Sequence, residues 1–140
     1  MVYMLLPCEV VVKFVLPSVR AALAKKLISD YGLKQIEVAK LLGVSQPAIS
    51  LYSRRLRGGA LNIEDYPDIM ERIDWLAKSF ASGGVDYKFF VGEVCNICRI
   101  VRAKGLLCIF HKLVDSECSV MVCDLCKSIS KNFGGRGLVY

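Results

Sequence analysis

Leu33–Leu56 reads LKQIEVAKLLGVSQPAISLYSRRL, and its punctuation decides the fold. The spacing predicts a helix over Gln35–Leu42 that presents Ile36, Val38, Ala39 and Leu42, with small Ala39 where a second helix crosses closely. Gly43 falls where that helix must end with positive φ, a conformation that costs glycine nothing sterically. Val44 then plugs the turn, Ser45 caps the next helix, and Pro47 occupies a first turn that needs no intrahelical N–H. Ile49, Tyr52 and Leu56 recur at steps of three and four and form the expected buried stripe.

Subtraction gives the exposed side: Gln46, Pro47, Ala48, Ser50, Leu51, Ser53 and Arg54. Glutamine can read adenine with two hydrogen bonds, while Ala, Pro and Leu can meet thymine methyls. Arg54, Arg55 and Arg57, ahead of Gly58-Gly59, make a basic exit suited to phosphates. Lys34 and Gln35 open the preceding helix, whose N-terminus favours an anion. A hairpin that merely packs a core explains Ala39, Gly43, Val44 and Ile49 equally well. It does not explain a small polar face flanked by three arginines.

Upstream, Pro7–Leu16 divides its signals. Val10-Val11-Val12 favours a strand, whereas Pro7 and the Glu9/Lys13 pair favour a helix. The expectation is a short helix ending before Pro17, then a second one capped by Ser18 and stopped at Gly32, with Val19, Leu23, Leu27 and Ile28 on one face. Cys8 is expected to be a small buried apolar residue.

Downstream, Asp65–Ser82 places Tyr66, Ile69, Ile73, Leu76 and Phe80 at 3,4,3,4 spacing, widened by Met70 and Ala77. Such a stripe is more often ordinary core than a coiled-coil seam. Trp75 falls off it and needs its own cover, from the cysteine-rich segment or from a second subunit.

Six of the seven cysteines lie between Cys95 and Cys126. Two C-x2-C pairs, Cys95/Cys98 and Cys123/Cys126, have the spacing of a metal cage. Cys108, Cys118 and His111 are possible alternates, although a lone histidine is more often a satisfied structural residue. Zinc and an iron–sulfur cluster fit the ligand type equally well, and a set of disulfides is a third, weaker reading. Cysteines beyond the four a structural zinc needs favour redox or metal sensing. Arg99, Arg102 and Lys104 are most simply a solvated face.

With 140 residues, 54% hydrophobic composition and a mean hydropathy of +0.44, the chain has enough apolar surface to fold. No run of ~18 apolar residues offers a bilayer span. The opening MVYMLLPCEVVVKFVLP is interrupted by Pro7, Glu9 and Lys13 and lacks the flanks of a signal peptide. A cytoplasmic protein with no membrane partner is expected. The net charge of +6 is uneven: residues 1–60 carry nine basic against three acidic side chains, which points the first part towards a polyanion, whereas residues 61–90 carry three against six.

At LPSVRAALAKKLISDYGLKQIEVAKLLGVSQPAISLYSRRLRGG (16–59), and again at CNICRIVRAKGLLCIFHK (95–112), the chain resembles archaeal Xre/Cro-type helix-turn-helix transcriptional regulators with a cysteine-rich tail. The resemblance implies a DNA-binding repressor or activator in which Gln35 orients Gln46, with Gln46 and Pro47 nearest the bases. Leu51 departs from the polar or basic residue frequent there in such proteins.

The expected architecture is mainly α: a DNA-binding helix-turn-helix bundle over 1–60, an amphipathic connecting or dimerisation helix over 61–84, a small cysteine-rich metal-binding module over 85–133 and a flexible tail over 134–140. Double-stranded DNA and a second copy of the chain are the expected partners. No Ser/His/Asp set, phosphate-binding glycine loop or paired acidic site supports an enzyme, and no small-molecule substrate is inferred. The competing functions are a thiol–disulfide oxidoreductase using a C-x2-C pair, which lacks its βαβ context, and a zinc-stabilised adaptor for proteins.

Overall fold

The computed structural model describes residues 6–114 and residue 126. The described chain is mainly helical and contains no strand. Helix α1 (Pro7–Val10), a π turn (Val11–Val15) and α2 (Leu16–Ser29) run on without a break. The helix expected to stop before Pro17 therefore continues through it. A proline in a helix removes one N–H and crowds the carbonyl four residues back. Here the ladder widens instead: the Leu16 N–H bonds to the Val11 carbonyl, five residues back.

Ser18 is likewise no cap. It lies inside the helix, 2% exposed, where its Oγ donates to the Phe14 carbonyl (3.0 Å) and accepts the Leu61 N–H (3.1 Å). One hydroxyl thus serves the π turn and ties α2 to a loop more than forty residues away.

Helix α3 (Gln35–Leu42) ends at Gly43, whose φ of +65° turns the chain, and α4 (Gln46–Ser53) follows. Ser45 Oγ accepts the Ala48 N–H at 3.3 Å, as an N-cap should. Val38, Ala39, Leu42, Ile49 and Tyr52 are buried together with Val19, Leu23 and Leu27 of α2.

Two expected core residues lie outside. Ile36 is exposed because it sits roughly 115° around α3 from the midline of positions 38, 39 and 42, at ~100° per residue. Leu56 is exposed because α4 stops at Ser53, and Arg55, at φ +57°, turns the chain out of the helical period.

A 3-10 turn (Ile63–Asp65) leads into α5 (Pro67–Ala81), which buries Ile69, Ile73, Leu76, Ala77 and Phe80 and packs on α2. The amphipathic stripe of this helix is thus part of the chain's own core. Helix α6 (Tyr87–Ala103), capped by Asp86 through the Phe89 N–H (2.7 Å), packs on α5. Helix α7 (Leu106–Val114) packs on α6 and reaches back to α1. Apolar packing runs across residues 60 and 84 in one cluster, from Val10 to Val101, Leu107 and Phe110. No helix among the described residues is long and apolar enough to cross a membrane.

Candidate nucleic-acid interface

The α3–Gly43–α4 unit presents one face to the core and one to solvent. Taking the line between Ile49 and Tyr52 as inward, Pro47, Ser50, Leu51 and Arg54 lie on the far side of α4, and Gln46 lies to one flank. Pro47, Gln46, Ser53 and Arg54 are exposed, while Ser50 and Leu51 are half-buried. Ala48 departs from expectation: it is 7% exposed, because it lies within about 70° of the inward line on a helix that packs against α2 and α3. It belongs to the core rather than to the outward face.

Gln46 is held in place. Its Nε2 donates to Gln35 Oε1 at 3.1 Å, across the turn from the first residue of α3. A side chain fixed at one amide edge keeps its remaining donor and acceptor capacity for a partner and loses less rotamer freedom on binding. At the other end, Arg54 Nε donates to the Ser50 carbonyl (3.4 Å) and the Arg57 guanidinium stands 5.6 Å from the Tyr52 ring centroid. Arg55 is exposed in its left-handed conformation. The three arginines fan out where α4 ends.

The α3 N-terminus is less open to phosphate than its sequence implies. Lys34 is exposed, but its N–H donates to Glu37 Oε2 at 2.7 Å, so a carboxylate already occupies the first turn. Gly58 is more than the chain break that its sequence suggests. At φ +78°, a Cβ there would meet the Pro17 carbonyl oxygen at 2.6 Å and Ala21 Cβ at 2.7 Å. The exit from α4 is therefore seated directly on α2.

The thiols form a second constellation. Cys95 and Cys98 lie one turn apart in the middle of α6, Cys95 exposed and Cys98 half-buried. Cys108 and His111 share one side of α7, and the Nε2 of His111 is buried without a hydrogen-bond partner. Cys126 is buried, whereas Cys118 and Cys123 lie outside the described residues. Among the described residues, no group of three or more His, Cys, Asp or Glu side chains is arranged to hold a metal.

Cys8 corrects the expectation of a buried apolar residue: it is exposed, and Arg102 Nη2 donates to its sulfur at 3.2 Å. Arg102 is thus more than a solvated charge. Burial pushes the Cys98 thiol above its ordinary pKa, and the Arg102 guanidinium pulls the other way. No signal local to Pro7–Leu16 could have placed Cys8 beside α6.

No family model, curated protein or solved structure matches the chain.

Proposed function

We propose that the chain is a sequence-specific DNA-binding regulator that reads duplex DNA with α3–Gly43–α4 as a helix-turn-helix. The observation that carries this reading is the Gln46–Gln35 hydrogen bond, which orients an amide on an exposed face ending in three arginines. Gln46 and Pro47 meet base edges; Ser50, Leu51 and Ser53 follow along the groove; Ser45 and the Arg54, Arg55 and Arg57 side chains engage the backbone, with Lys34 beside them. Gln35 acts through Gln46.

Two copies on paired half-sites complete the proposal. Because Ile69, Ile73, Leu76 and Phe80 are buried within one chain, α5 can offer a second copy only its other side, where Trp75 is 52% exposed and its ring lies 6.3 Å from that of Phe89. Zinc or an iron–sulfur cluster on Cys95, Cys98, Cys123 and Cys126 is a separate proposal. The described thiols do not make a four-sulfur cage by themselves, and no step of DNA reading runs through a metal. Metal and sulfide analysis of protein purified without air decides it.

The test of DNA binding is selection from a random duplex pool by the full-length protein, followed by fluorescence anisotropy on the selected site. Gln46→Ala is expected to lose about 1–3 kcal/mol of discrimination at one base pair. Arg54→Ala is expected to weaken all duplexes alike and to lower the salt slope by about one. Binding that is absent, or insensitive to salt and to both substitutions, would refute the proposal and favour a protein-binding adaptor.

A further inference from the structure

Helix α5 carries a stripe that the rest of the chain leaves open. At ~100° per residue, Glu71, Trp75, Lys78 and Ser82 fall within about 60° of one another, opposite the buried Ile73 and Phe80, and all four are exposed. The other charges of the helix are met from within the chain: Asp68 by Lys104 (3.0 Å), Arg72 by Glu93 (3.3 Å) and Asp74 by Lys26 (2.8 Å). Glu71 and Lys78 are the exceptions, with no ion pair or hydrogen bond from either side chain among the described residues. They stand two helical turns apart, one on each side of Trp75. Beside that tryptophan lies a shallow hollow of about 470 Å³, walled by Tyr31, Arg72 and Asp74 as well as by the stripe.

We propose that this stripe is a dimer interface whose occupant is the same stripe of a second copy, antiparallel about a two-fold axis that passes between Asp74 and Trp75. In that register Glu71 of each copy meets Lys78 of the other, and Pro67 meets Ser82. The two Trp75 rings come together beside the axis, each against the hollow of the other copy. Asp74 also nears its counterpart there, but Lys26 already neutralises it. A parallel pairing would set Glu71 against Glu71 and Lys78 against Lys78, so charge selects the antiparallel one.

The two kinds of contact do different work. Burial of Trp75 supplies the affinity, because large aromatic side chains dominate such contacts. The charge pairs are exposed and individually weak, so their part is to fix direction and register. One face of a helix about 22 Å long is a small interface, and a micromolar dimer is expected. No residue of α3 or α4 lines the hollow, so the pairing does not use the face assigned above to DNA. It supplies the interface for the two-copy reading and rests on that reading only for its role, since the dimer forms and is measured without DNA.

Sedimentation velocity of the reduced full-length protein, from low to high micromolar and without DNA, is expected to show a reversible dimer. Emission from Trp75, the single tryptophan, should shift to the blue as the dimer forms. Glu71→Lys and Lys78→Glu each turn two attractions into two repulsions and should weaken the dimer about tenfold. The double reversal, Glu71→Lys with Lys78→Glu, should restore it. Lys112→Glu, at an exposed position on α7, is the control for altered net charge and should change nothing. All three positions are exposed, so the far-UV circular dichroism of every variant should match the parent. A monomer at every concentration, single reversals without effect, or a double reversal that stays apart would overturn the interface. Anisotropy on the selected duplex is read separately, so DNA binding and this interface can each fail alone.

Discussion

Ser18 offers the sharpest test of the packing that holds the α3–Gly43–α4 unit. In Ser18→Ala the Leu61 N–H loses its acceptor at a residue only 8% exposed, and the Phe14 carbonyl loses one donor. A stranded buried donor costs about 1–3 kcal/mol. Alanine's better helix propensity returns roughly 0.5 kcal/mol. The net expectation is a destabilisation of about 0.5–2.5 kcal/mol, read as a lower urea midpoint with an unchanged slope. Trp75, the only tryptophan, and far-UV circular dichroism supply two independent signals.

Ser29→Ala is the control. Its Oγ makes the same kind of bond, to the Lys25 carbonyl at 2.8 Å, but in the open. That substitution should stay within about 0.5 kcal/mol of the parent. Equal effects at the two serines, or no effect at Ser18, would show that the hydroxyl does not bridge α2 to the Leu61 loop.

Gly58→Ala should cost clearly more than Gly43→Ala in the same unfolding assay. Both glycines are left-handed, at about 1–2 kcal/mol for alanine, but nothing surrounds a Cβ at Gly43, whereas at Gly58 it meets α2 and adds about 1–3 kcal/mol of overpacking. Arg55→Gly relieves a left-handed non-glycine residue and should raise stability by about 0.5 kcal/mol, relief less added unfolded-chain entropy, while lowering the salt slope of the proposed DNA binding. Stability should be flat near neutral pH and fall at both ends of a pH titration. Lys104 holds Asp68 below the usual carboxylate range, and Lys25 and Lys26 do the same for Glu64 and Asp30, so their small, solvent-screened contributions vanish as pH falls below about 4. Cys98 stays protonated in the fold beyond the point at which it ionises in the unfolded chain, and Asp74 and Asp30 raise Lys26. Stability therefore declines above about pH 8.5, and further above about 10.4 as Lys26 loses its proton.

The sequence by itself determined the local grammar. Gly43, Ser45 and the 3,4 spacing of α5 act within one or two turns of themselves, and backbone sterics, capping and helical periodicity suffice to read them. The Gln35–Gln46 pair was legible through resemblance, because the residues flank one turn of fixed geometry. Only the tertiary structure decided what depends on distant partners. Ser18 carries the residue type of a cap but is a buried bridge, because Leu61 brings it an N–H to accept. Pro17 carries the signal of a break but is absorbed by a π turn in a helix whose packing repays the distortion. Ala48 is small enough to fit either face, so the neighbouring helices chose for it. Cys8 carries no local sign of its place, since an arginine 94 residues further along the chain meets it only once α1 and α6 have come together.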